Sequence, residues 1–233
     1  MTSSERRARE RAVLRAKILA AARELFARQG FEAVTLRKIA AAIEYAPAAI
    51  YGHFADKQAL VRELCLTDFD QLSAEFARLA EVADPLARIA RAGRTFVRFS
   101  AENENHFRAM FLQPHPLPMD DETRARHGDP ARDGYAFLRK AVEEARAAGL
   151  LRAELVDPDL VAQTFWAGVQ GVASVEVAFR EDPWVELGPL EARSEAMIDT
   201  LLRGLARPGA WPAARARPAR RPRARGKRAE GAR

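Results

Sequence analysis

Few side chains in this sequence are suited to breaking bonds or holding a metal: one cysteine, Cys65, and four histidines, His53, His106, His115 and His127. Cys65 has no internal partner for a disulfide, and no Cys/His cluster has zinc spacing. His106, His115 and His127 are near neighbours in sequence, but their spacing fits no single helical face and they flank a Pro-rich loop. No nucleophile, base and orienting group can be assembled, and no phosphate loop is present. An enzyme is therefore not expected, and neither a metal nor a cofactor is implied.

The other chemistry open to these residues is attraction of an anion. Residues 1–57 hold 11 Lys/Arg against 6 Asp/Glu, residues 58–206 hold 17 against 25, and residues 207–233 hold 10 against 1. Two basic ends around an acidic body suggest that the ends meet a polyanion. The longest apolar runs fall far short of the roughly 20 residues that span a bilayer. No membrane partner is expected. The basic N-terminus lacks an apolar signal core, so a cytoplasmic protein is expected.

The elements that must position these charges read as helices throughout. Leu14, Ile18, Ala21, Ala22, Leu25 and Phe26 form one stripe of a helix from about Glu10 to Gln29, stopped by Gly30. Thr35 is a good N-cap for a second helix with Leu36, Ile39 and Ala40, which breaks at "EYA". Pro47 suits the first turn of a short third helix, and Asp56 can cap a long fourth. Helices of two or three turns are marginal alone, so the short pair must rest on its neighbours and present a face. Two short helices meeting at a corner, supported by a third and basic in balance, describe a helix-turn-helix.

Further helices are expected from Asp84-Pro85, at "NENHFRAMF", up to Gly149, from Asp157-Pro158, and from Leu190 to Leu205, with "LQPHPLPMDD" as a loop. The segment after Pro158 is apolar on two faces and must be buried on both. No strand pattern appears. The Arg/Ala/Pro/Gly end, residues 208–233, has too little apolar content to offset its ordering entropy and should be disordered.

The order from Ile18 to Leu64 resembles the DNA-binding domain of the TetR family of bacterial transcriptional regulators. The residues that carry it are Phe26, Gly30 and Phe31, Thr35 before Ile39-Ala40, and Ile50-Tyr51 followed by His53-Phe54 and Lys57. "IEYAP" and "WAGVQG" also resemble the subgroup whose C-terminal domain is named for a Trp-His-Gly pattern, with Gln170 where the His would stand.

The resemblance implies an all-α protein: a helix-turn-helix domain at residues 10–58, an effector-binding and dimerisation domain at 59–207, and the basic tail at 208–233. It also implies a homodimer that binds a double-stranded DNA operator in the bacterial cytoplasm, associated with the nucleoid, and leaves it on binding a small-molecule effector. By position, Thr35 and Arg37 would face phosphate or a groove edge, while Pro47, Ala48 and Ala49 would open the recognition helix nearest the bases. Tyr51 and His53 would reach phosphates or a base edge, and Lys57 a phosphate. Ala46 departs from the usual Ser before the third helix, losing a side-chain cap typically worth about 1 kcal/mol.

The second half carries weaker family marks. Phe96, Phe99, Phe107, Met110, Phe111, Phe137, Phe165 and Trp166 are candidate lining for a cavity, or plain core; their aromatic content suggests an apolar or planar effector. Gly168, Gly171, Val172, Val175, Met197 and Leu201 are candidates for a four-helix dimer interface, the glycines serving either close approach between copies or relief of crowding inside one. A ligand-free architectural DNA-binding factor is the alternative function.

Overall fold

The computed structural model describes residues 2–112 and 121–212. Local signals set the N-terminal elements. Helix α1 (Ser3–Gln29) starts at a capping box: Thr2 Oγ1 accepts from the Glu5 N–H, while a Glu5 carboxylate oxygen accepts from the Thr2 N–H at 2.7 Å. It therefore begins about two turns before the start at Glu10 expected from apolar periodicity, because capping and Arg/Glu/Ala propensity extend a helix without any buried stripe. Gly30 ends it, with φ at 76°. Thr35 caps α2 (Leu36–Ala42) through the Lys38 N–H at 3.2 Å. Pro47 opens α3 (Pro47–Tyr51), which has no side-chain cap at Ala46, and Asp56 caps α4 (Lys57–Arg78) through the Ala59 N–H at 2.6 Å.

The corner between α2 and α3 closes as a Schellman motif. The Tyr45 N–H donates to Ala40 O at 3.0 Å and the Glu44 N–H to Ala41 O at 3.2 Å. Glu44 sits in the left-handed region, at φ 60°, where glycine is usual. Ile18, Phe26, Ile39, Ile50, Phe54 and Leu60 form the core beneath these helices, and Leu64 and Cys65 of α4 join it. The first half of α4 thus belongs to the N-terminal core, beyond residue 58.

After a 3₁₀ turn at Leu79–Glu81 come α5 (Pro85–Glu102), α6 (Glu104–Phe111), α7 (Asp121–Arg126), α8 (Gly134–Ala147), α9 (Pro158–Phe179) and α10 (Leu190–Leu205). Asp84, Asp133 and Asp157 cap α5, α8 and α9. The loop expected around residues 113–120 lies outside the described residues. Helices α5, α8, α9 and α10 share a second core that begins on α4 at Leu72. Gly93 of α5 lets the helices close: a Cβ there would meet Phe165 Cζ at 2.9 Å. The only strand-like pairing among the described residues is one isolated bridge, Leu151 to Ala206.

The expected disorder from residue 208 is corrected at its start. Trp211 Nε1 donates to Asp199 Oδ1 at 3.0 Å, Arg203 donates to Pro212 O at 3.0 Å, and Trp211 packs against the second core. One indole with a hydrogen-bond partner is enough to hold a short turn on α10. Residues 213–233 lie outside the described residues.

Candidate nucleic-acid interface and ligand cavity

Helix α3 is five residues long and cannot stand alone; α1 holds it from both sides. Before it, the Lys17 ammonium lies 5.7 Å from the centre of the Tyr45 ring. After it, Arg11 donates to Gly52 O at 3.2 Å and Arg15 to His53 O at 3.1 Å. Guanidinium donors at the carbonyl end of a helix satisfy its orphan acceptors and oppose its dipole. Arg15 is itself oriented by Glu63 of α4 and lies 4.5 Å over the Phe54 ring. Sequence reasoning missed Arg11, Arg15, Lys17 and Tyr45. For Arg11 and Arg15 the signal was present in the four-residue spacing of Arg7, Arg11 and Arg15, which places all three on one stripe of α1.

So held, the two short helices leave a polar and small-residue surface in solvent. Thr35, Arg37, Pro47 and Ala48 are exposed, Ala49 is half-buried, and Tyr51 is 54% exposed. Thr35 accepts the cap bond and keeps its hydroxyl proton to donate. Arg37 has no hydrogen bond or ion pair among the described residues. His53 is half-buried, with Nδ1 enclosed and without a partner. Burial, and then the positive charges of Arg11 and Arg15, hold its pKa below the ordinary imidazole value.

Lys57, expected to meet a phosphate, also has partners inside the fold. Its Nζ donates to Phe31 O at 2.6 Å and lies 3.9 Å from the centre of the Phe31 ring. Desolvation lowers its pKa, with Glu32 opposing. This contact anchors the turn after α1 to the start of α4.

In the second core a partly enclosed cavity of about 370 Å³ lies among α4, α5, α6, α7, α8 and α9. Native interiors leave few voids larger than a water molecule, so a space of this size is a built feature. Of the expected lining, Phe96, Phe111, Phe165 and Trp166 face it. Phe99, Phe107 and Phe137 do not: Phe107 is fully buried edge-on to Phe96, and Phe137 stacks on Phe76 at 5.6 Å. The Met110 side chain lies outside the described residues. Phe69, Leu72 and Phe76 of α4 and Tyr135 of α8 also line it; the three on α4 carry the same helical spacing as a helix that only connects two cores, so the spacing alone does not mark them as lining.

The polar groups of the cavity gather where α7 leads into α8: Thr123, Arg126, His127, Arg132 and Asp133. Arg126 is paired with Asp70 of α4, and Tyr135 donates to Asp159 at 2.8 Å. One wall is thus aromatic and one end polar. Among the described residues, no group of three or more His, Cys, Asp or Glu is arranged to hold a metal ion. No helix among them is long and apolar enough to cross a membrane.

The interface candidates divide. A Cβ at Gly168 would meet Leu201 Cδ1 of the same chain at 2.5 Å, so this glycine serves the crossing of α10 over α9 within one copy. Val172 is buried in the same core, and Met197 and Leu201 pack partly against it. Gly168 thus takes the second of its two expected roles, relief of crowding inside one copy, and Val172, assigned from sequence to an intermolecular surface, has internal neighbours. Gly171 has no atom within 4 Å of its Cβ position, and Val175 is 39% exposed. With Leu160, Thr164, Ala167 and Ala178 they form an exposed stripe spaced three and four apart.

Comparison with known proteins matches residues 18–64 to the model for bacterial regulatory proteins of the tetR family and residues 89–201 to the tetracyclin repressor-like C-terminal domain. The HTH-type transcriptional regulator UidR of Escherichia coli K12 is 36% identical over 62 residues, 27% of this chain and 32% of that regulator. The chain therefore spans about a third of the length of these curated relatives. The HTH-type transcriptional repressor KstR2 of Mycobacterium tuberculosis H37Rv is 28% identical over 166 residues, 67% of this chain and 80% of that repressor. A structure of a protein of unknown function from Rhodococcus sp. RHA1 superposes with a TM-score of 0.68 at 26% identity, covering 83% of this chain and 96% of the other.

Proposed function

This chain belongs to the TetR family of bacterial regulatory proteins, and on that premise we propose that it is a cytoplasmic, dimeric transcriptional repressor released from an operator by a small molecule. The observation that carries the reading is the five-residue α3, braced by Lys17, Arg11 and Arg15 so that Pro47, Ala48 and Tyr51 stay in solvent. A small apolar side chain such as that of Ala48 fits a thymine methyl in the major groove. Arg37, Thr35 and Tyr51 then position the helix on the backbone, and His53 adds a ring nitrogen for a further hydrogen bond.

Two copies pair through the exposed stripe of α9 that contains Gly171 and Val175, together with the outer face of α10, as a four-helix bundle. The pair sets two α3 helices in major grooves one turn or a multiple apart. The effector has an apolar, aromatic-compatible body and one polar end, matching the cavity. Helix α4 connects the two functions, since Leu66, Phe69, Leu72 and Phe76 line the cavity while Leu60 and Leu64 fill the first core. Arg23 of α1 meets the buried Asp68 of α4 at 2.9 Å, so a shift of α4 carries α1 and the reading helices with it. An effector that prefers the shifted conformer lowers DNA affinity by its differential affinity for the two states. The cavity disfavours a ligand-free architectural factor.

The test is selection of duplexes from random-sequence DNA by the purified chain, followed by titration of the enriched duplex. Tyr51→Ala and Arg37→Ala should each weaken binding by about tenfold, roughly 1.4 kcal/mol, with unchanged thermal unfolding. Failure to enrich any sequence would overturn the reading.

A further inference from the structure

Helix α1 continues past the last place where anything supports it. Arg11 is its final contact with the helix-turn-helix, and from there to Ser3 the helix runs about 12 Å at about 1.5 Å per residue. Every described residue from Thr2 to Val13 is exposed. Nothing apolar is available to bury this overhang. Its order comes from the Thr2/Glu5 capping box and the Arg6–Glu10 pair at 3.7 Å. The stretch 3–15 carries Arg6, Arg7, Arg9, Arg11 and Arg15 against Glu5 and Glu10.

These charges are not distributed at random around the helix. Ser4, Arg7, Arg11 and Arg15 are spaced three, four and four apart and share one stripe. Two members of the stripe, Arg11 and Arg15, reach Gly52 O and His53 O, directly after the exposed Tyr51. The stripe therefore continues the DNA-facing surface outward from the end of α3. Arg7 has no hydrogen bond or ion pair among the described residues.

We infer that the overhanging first two turns of α1 form a second DNA contact, in which Arg7, with Ser4 beside it, binds a backbone phosphate outside the bases read by α3. This rests on the DNA-binding reading above. A phosphate contact supplies affinity and register without sequence preference, and it releases counterions. Positive charge on a pre-formed helix places the guanidinium with less ordering cost than a disordered arm would. The contact extends the protected length of the operator at both outer edges of a dimer.

The experiment uses the full chain and the duplex it enriches from random-sequence DNA. Arg7→Gln should reduce the slope of log affinity against log salt by about 0.9 for each copy bound. Arg7→Lys should retain the slope, because a point charge suffices. Ethylation interference should lose its outermost phosphate position in Arg7→Gln while the inner positions stay. Circular dichroism and thermal unfolding should match the unaltered chain, since the residue touches no core. A wild-type slope and unchanged outer interference in Arg7→Gln would overturn the proposal with the DNA reading intact. Absence of duplex binding by the unaltered chain would overturn both.

Discussion

At the scale of single residues, the surface of α3 depends on groups whose charge is set by neighbours. His53 shows how. Its imidazole is held below its ordinary pKa of 6.5 by burial and by Arg11 and Arg15, while Glu63 balances Arg15 alone. As pH falls through that value the unfolded chain takes the proton before the folded one, so this group makes stability decline with acid. The unaltered chain should therefore lose more stability between about pH 7 and about pH 5.5 than His53→Gln does, by urea midpoint at each pH. Equal losses would show that the imidazole titrates alike in both states. Lys57 teaches a related lesson. Its type and position were legible, but its partner Phe31 O depended on a turn that brings residues 26 apart in sequence together.

At the scale of elements, most boundaries were legible because caps are local chemistry. Thr35, Asp56, Asp84, Asp133 and Asp157 each bond an N–H within three residues, so short sequence windows contain the whole interaction. The corner between α2 and α3 is an exception to the usual composition. Glu44 occupies a left-handed C′ position with a side chain that costs about 1 kcal/mol there relative to glycine. Glu44→Gly should raise stability by about that amount in urea unfolding, provided the Tyr45-to-Ala40 bond persists. A lower midpoint would mean that glycine loosens the corner more than it relieves strain. The start of α1 was the boundary least visible to apolar periodicity, because an exposed helix has no buried stripe to report it.

At the scale of the whole molecule, two glycines three residues apart on α9 have opposite surroundings. Gly168 lies under Leu201 of its own chain, so Gly168→Ala should destabilise each copy by about 1 to 3 kcal/mol as the leucine is displaced. Gly171 faces open space, so Gly171→Leu should leave the monomer fold intact and weaken pairing. Light scattering over a dilution series, with unfolding followed at matched concentration, separates the two effects. A dimer that survives dilution in Gly171→Leu would exclude the α9 stripe as the interface. The cavity likewise exists only at this scale, since its lining comes from six helices and its polar end from the α7–α8 link.

Helix identity, the short reading pair and the family resemblance were all determined by the sequence itself, because each rests on interactions within a few residues or on a local pattern such as Phe26, Gly30 and Phe31. Only tertiary structure decided which aromatics line a space and which fill one, since Phe96 and Phe99 share a helix and differ only in what packs opposite. It also decided that Gly168 faces inward and Gly171 outward. Helical spacing reveals that two faces exist, and the crossing of α10 selects which of them is already occupied.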